Sequence, residues 1–149
     1  MFLGSEIFKM QLRPIAVYVF TDGLVLFELV EPGPSTFKNG GRRYQVIDEA
    51  HRFFQPKKEM THQEFATYSE SLKDVTVRSI PMSTVKWAWR SGKGFIKEDS
   101  VEIRLNDGGS LAFSENSGRG TGQECYEIGQ HLKAALGSRY FVGRRNKPS

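Results

Sequence analysis

Four cations, Lys86, Arg90, Lys93 and Lys97, fall within twelve residues with no acid between them. Cations at that density can hold an anionic partner, either the phosphates of a nucleic acid or an acidic lipid surface. The plainer reading is preferred: a solvated strand face whose charges keep a sheet edge from pairing with other chains. Trp87 and Trp89 are interleaved with these cations, two apart and so on one strand face. Exposed, they would form a stacking platform or an interface anchor. Because Val85 shares their parity, they are expected in the core, with Lys86, Ala88 and Arg90 on the opposite face.

Other chemistry is sparse. Gly118-Arg-Gly-Thr-Gly122 lies between an expected strand and an expected helix, where free backbone donors attract anions. Its spacing matches neither the Walker pattern nor the dinucleotide fingerprint. Cys125 falls on an apolar helical stripe, where a thiol is a small hydrophobe with a raised pKa. His51, His62 and His131 fall in three separate segments, without the close spacing of a metal site. No nucleophile elbow is present, so no catalytic, cofactor-binding or metal-ligating residue is assigned and no cofactor is expected. The chain is read as a non-enzyme; the other possibility is a small enzyme whose site assembles only in three dimensions.

The chain has 149 residues, the size of a single domain, with 11 Phe, 5 Tyr and 2 Trp to fill a core. Its single cysteine excludes an intramolecular disulfide and points to a reducing compartment. With no signal-peptide pattern near the N-terminus and no run of roughly 18 apolar residues, a cytoplasmic location is expected. The net charge of +4 resides in residues 138–149, which carry Arg139, Arg144, Arg145 and Lys147 and no acid. The remainder holds 17 residues of each sign, so the body is electrically balanced. This basic segment is read as a solvated, frayed tail, although Tyr140-Phe-Val142 could dock within the domain.

The elements that would position these residues are mostly strands. Ile15–Phe20 and Leu24–Val30 are β-branched and aromatic and meet through Thr21-Asp-Gly23, which predicts a hairpin. Glu31–Gly41, rich in Pro and Gly, predicts a loop, and Arg43–Phe54 fits a strand or a helix equally. Thr61-His-Gln-Glu64 has the spacing of a capping box and predicts a short helix to about Leu72, with Phe65, Tyr68 and Leu72 on one face. Val75–Ile80 predicts a strand, and residues 83–113 a three-strand meander in which Phe95 and Ile96 open the second strand region. Thr121 and Glu124 repeat the capping spacing. Cys125, Ile128, Leu132, Ala135 and Leu136 then form an apolar stripe that Gly137 stops.

Within residues 75–137, Ile80-Pro-Met-Ser-Thr-Val85, Val101-Glu-Ile-Arg-Leu105, Asp107-Gly108, Leu111-Ala-Phe113 and the helix from Gly122 to Leu136 occur in a telling order. That order resembles the second half of a pleckstrin-homology-like or GRAM-like domain. The resemblance implies antiparallel strands followed by one C-terminal helix that plugs the open end of a barrel. The hairpin at residues 15–30 would then supply the first two strands. Phosphoinositide-binding members hold phosphates with basic residues around the loop joining those strands. Thr21-Asp22-Gly23 is acidic and flanked by apolar residues, so that function does not carry over there.

The expected architecture is thus α+β: an antiparallel sheet or partly open barrel, closed by a C-terminal amphipathic helix, with one additional short helix in the middle. Residues 1–137 form a single domain and residues 138–149 a basic tail. The leading functional expectation is an interaction module binding a protein or peptide through a sheet edge or the groove beside its last helix. The rival is a binder of nucleic acid or acidic lipid through residues 86–97 and Arg139, Arg144 and Arg145.

Overall fold

The computed structural model describes residues 1–30, 40–92, 99–115 and 122–149, with residues 40–42 as backbone only. Eight strands form one sheet: β1 (Phe2–Met10), β2 (Arg13–Phe20), β3 (Gly23–Leu29), β4 (Val75–Pro81), β5 (Val85–Arg90), β6 (Ser100–Leu105), β7 (Ser110–Glu115) and β8 (Tyr140–Val142). Three α-helices accompany them: α1 (Gly40–Phe53), α2 (His62–Ser69) and α3 (Gln123–Leu136). The strand order is β4-β3-β2-β1-β7-β6-β5-β8, antiparallel throughout except that β8 runs parallel to β5. The sheet is not closed, and the fold is α+β as the periodicity predicts.

The expected hairpin is β2–β3, with Ala16 opposite Phe27 and Phe20 opposite Gly23. It is not the first pair of strands, however. β1 precedes it and joins β2 through Gln11 and Leu12, both of which have positive φ (52° and 66°). The turn between the first two strands is therefore Gln11–Leu12, and Thr21-Asp22 joins the second and third.

Both faces of β2 and β3 are covered, which explains their unbroken apolar runs. On one face Tyr18, Phe20, Val25 and Phe27 pack against Ile47 and Ala50 of α1 and Phe65 of α2. On the other, Val17, Val19, Leu24 and Leu26 share a core with Ile128, Leu132 and Leu136 of α3 and with Val85, Ala88 and Ile103. Laid flat, β4 and β5 would be separated by six interstrand spacings, roughly 29 Å. Residues of both strands lie in that inner core, so the sheet must curl around α3.

Local signals explain most elements. Arg43–Phe54 resolves to helix because Val46, Ile47, Ala50 and Phe54 lie together against the outer core. The helix also takes in Gly40 and Gly41, which composition assigns to the preceding loop; residues 31–39 of that loop lie outside the described residues. The capping box of α2 forms in both directions: Glu64 N–H donates to Thr61 Oγ1 and Thr61 N–H to Glu64 Oε1, each at 3.1 Å. This helix stops at Ser69 rather than near Leu72, and its buried face is Phe65, Ala66 and Ser69. Tyr68 stays exposed, its ring tilted against Phe54.

β4 and the β5–β6–β7 meander form as expected. The expected strand opening at Phe95 and Ile96, like Thr121, lies outside the described residues. Helix α3 buries Cys125, Ile128, Leu132 and Leu136, and Gly137 ends it with φ 59°. Its N-cap is Gly122 (φ 78°), whose N–H donates to the buried Glu115 at 2.6 Å.

Candidate functional site

The strand that carries Lys86, Trp87, Trp89 and Arg90 has a bulge. A register shift between Val85 and Trp87 sets two residue steps of β5 against one of β6, because Val85 opposes Leu105 and Trp87 opposes Arg104. The extra residue inverts side-chain parity. Val85, Ala88 and Arg90 face the inner core and α3, while Trp87 and Trp89 share the outer face with Glu102 and Arg104. The tryptophans therefore do not share the face of Val85, and Ala88 and Arg90 do not lie on a solvated face. Trp87 is nonetheless only 4% exposed, with the Arg104 guanidinium over its ring at 5.5 Å.

Of the four clustered cations, Lys86 and Arg90 lie among the described residues, and those two part. Lys86 is exposed at the bulge. Arg90 turns inward, with Nε 3.4 Å from the buried Asp99 carboxylate and its guanidinium over the Tyr126 ring of α3 at 5.3 Å. Asp99 also accepts the Gly92 N–H at 3.0 Å, so the buried carboxylate is held from two sides. Lys93, Lys97 and Gly118–Thr121 lie outside the described residues.

The C-terminal segment is not a frayed end. Tyr140, Phe141 and Val142 pair in parallel with Ala88, Trp89 and Arg90, and Gly143 N–H continues the ladder to the Arg90 carbonyl at 2.9 Å. Parallel register places Tyr140 inward beside Ala88 and Phe141 outward beside Trp89. A Cβ at Gly129 would stand 2.2 Å from Tyr140 Oη, so that glycine of α3 is the notch into which the phenol fits. Among the described residues this buried Oη has no hydrogen-bond partner. Burial pushes the Tyr140 hydroxyl pKa up, against the opposing pull of Arg90.

On the outer face, Trp89 Nε1 donates to the Gly143 carbonyl at 2.9 Å. Lys147 pairs with Glu102 at 3.0 Å and lies over the Trp89 ring at 4.9 Å. Arg139 donates to the Val85 carbonyl, and Arg144 and Arg145 are exposed. Of the predicted tail cations, then, Arg139 and Lys147 clasp the segment to the sheet.

The remaining candidates stay apart. His51 bonds Ser5 across α1 and β1 (2.9 Å), His62 bonds Asp22 (2.9 Å), and His131 lies over Gly4. No group of His, Cys, Asp or Glu suited to a metal ion occurs among the described residues. Cys125 is fully buried, and burial drives its thiol pKa well up, the wrong direction for a nucleophile. Among the described residues no helix is long and apolar enough to cross a membrane.

Sequence reasoning missed Gly129, Tyr126, Asp99 and Glu102. Gly129 carried a usable signal: an interior helical glycine costs about 1 kcal/mol relative to alanine, so one beside an apolar stripe asks for a packing reason.

The assembled feature is strand β5, flanked by a helix with a notch and covered along its outer edge by the short terminal strand β8. Comparison with known proteins gave no match to a family model, a curated protein or a solved structure.

Proposed function

We propose that this chain is a non-enzymatic interaction module that binds an extended peptide along the β5 edge, beside α3. One observation carries the reading: residues 140–142 already occupy that edge as a parallel strand, with an aromatic ring in the Gly129 notch. A sheet edge supplies main-chain hydrogen bonds, and side-chain pockets at alternate positions supply selectivity. The separated histidines and the buried, high-pKa thiol support the non-enzymatic part of the reading. Membership of the pleckstrin-homology-like class is part of the proposal. It is supported by the β5–β6–β7 antiparallel run followed by α3 inside the curl of the sheet. A single buried cysteine suits a reducing, cytoplasmic setting.

The test is a peptide-display selection on the full chain, followed by titration of the 15N-labelled protein with the enriched sequences. Enrichment of peptides with an aromatic anchor, and amide shifts centred on Ala88, Trp89 and Arg90, are expected. No enrichment, or shifts confined to other strands, would remove the proposal.

A further inference from the structure

Resting on the peptide-edge reading, we infer that residues 140–147 are a tethered competitor for the β5 edge, so that an outside peptide binds only by displacing them. The segment is held by contacts that can release without dismantling the core. Its ladder spans three residue pairs, whereas β5 is independently fixed to β6 at five. On the outer face it is held by the Trp89 Nε1 bond to the Gly143 carbonyl and by Lys147, which lies over the Trp89 ring and pairs with Glu102; the Lys147 side chain is 44% exposed, and exposed pairs hold weakly. The hinge is also local: Gly137 (φ 59°) opens the single turn that leads into β8, and Gly143 (φ 99°) ends it.

The same contacts define the occupant. The notch takes an aromatic ring at the position of Tyr140, the edge takes two further extended residues, and Glu102 with the Trp89 ring takes a cation where Lys147 sits. The ligand class is therefore a peptide with an aromatic residue, two further extended residues and then a turn, like Arg144–Asn146 here, that returns a lysine or arginine to Glu102. A tether of this length holds its own segment at an effective concentration on the order of millimolar, which any free peptide must overcome.

The experiment uses the full chain and a fluorescent peptide with the sequence of residues 138–149. Two variants loosen the tether and leave the receiving strand intact. Lys147→Glu reverses the charge that pairs with Glu102, and Gly143→Pro removes both the left-handed glycine and the N–H that bonds Arg90. Anisotropy should show each variant binding the probe several-fold more tightly than the unaltered chain, the competent fraction having risen. Equal binding by all three proteins overturns the inference. If none binds the probe while display-selected peptides still shift Ala88–Arg90, competition by the tether is wrong and the peptide edge stands. If those peptides also fail, both fall together.

Discussion

Replacing Gly129 by alanine sets two effects of opposite sign against each other. An alanine in a helix interior is favoured over glycine by about 1 kcal/mol. The added Cβ, however, would stand 2.2 Å from Tyr140 Oη, a separation atoms do not tolerate, and 3.2 Å from Cζ, which is merely tight. Either the ring leaves its notch or α3 lifts from β5. Losing about half the burial of a large side chain costs roughly 1–1.5 kcal/mol, and β8 loosens with it. Tyr140→Phe removes the clashing atom and a buried hydroxyl that has no partner among the described residues, whose burial costs about 1–3 kcal/mol, so that variant should be neutral or stabilising.

The informative quantity is the double-mutant cycle. Gly129→Ala alone should leave stability unchanged or lower it by about 1 kcal/mol, whereas in the Tyr140→Phe background the helix-propensity gain of about 1 kcal/mol should emerge. The coupling is then ~1–2 kcal/mol, a difference of about 2–8 °C in Tm for a chain of this size. Urea unfolding measures the cycle, and hydrogen exchange at the β8 amides reports whether the strand is released. Additivity within about 0.5 kcal/mol, with β8 protection unchanged in Gly129→Ala, would refute the notch.

Glu115 is fully buried, and its carboxyl is raised first by burial and further by Glu124 and Asp99, against the Gly122 N–H that favours the charged form. A raised folded pKa gives a contribution that is full below the ordinary value of 4.5 and lost as pH climbs through the folded value. Glu115→Gln should therefore raise Tm at neutral pH and give no gain near pH 4, as thermal scans at both pH values would show. His51 is shifted the other way, lowered by burial although Asp48 pulls it up, so the unfolded chain binds its proton more readily. Stability should fall as pH drops through about 6.5, and His51→Gln should reduce that slope in urea titrations at pH 7.5 and 5.5. Gly23→Ala places a Cβ 2.4 Å from Cγ of His62, whose ring and backbone N–H are both tied to Asp22. The loss should be about 1–3 kcal/mol by chemical denaturation, since moving the ring breaks its bond to Asp22.

Where apolar β-branched runs met at a turn, side chains alternated or a cap was complete, the elements could be read from residues alone: β2–β3, β4, the later meander, the Thr61 box and the stripe of α3. β1 escaped because Gly4 and Glu6 occupy the positions facing α3, so Phe2–Met10 shows no apolar alternation. The bulge after Val85 could not be seen, since one extra residue changes every later side-chain direction and leaves no composition mark. That single shift moved the tryptophans out of the inner core and moved Arg90 into it. The candidate edge was hidden for another reason. β8 has three residues between basic flanks, and what holds it are distant partners: Ala88, Trp89, Glu102 and Gly129.

The double coverage of β2 and β3 means that their pairing checks itself. Odd and even positions serve two differently shaped interiors, aliphatic Val17, Val19, Leu24 and Leu26 on one side and aromatic Tyr18, Phe20 and Phe27 on the other. Sliding either strand by one residue would exchange the two sets, forcing rings into space sized for valine and leucine and leaving voids where the rings had been. Misalignment is thus penalised twice at each step, and the hairpin has no spare face on which a new function could be built. Variation has room at the rim instead.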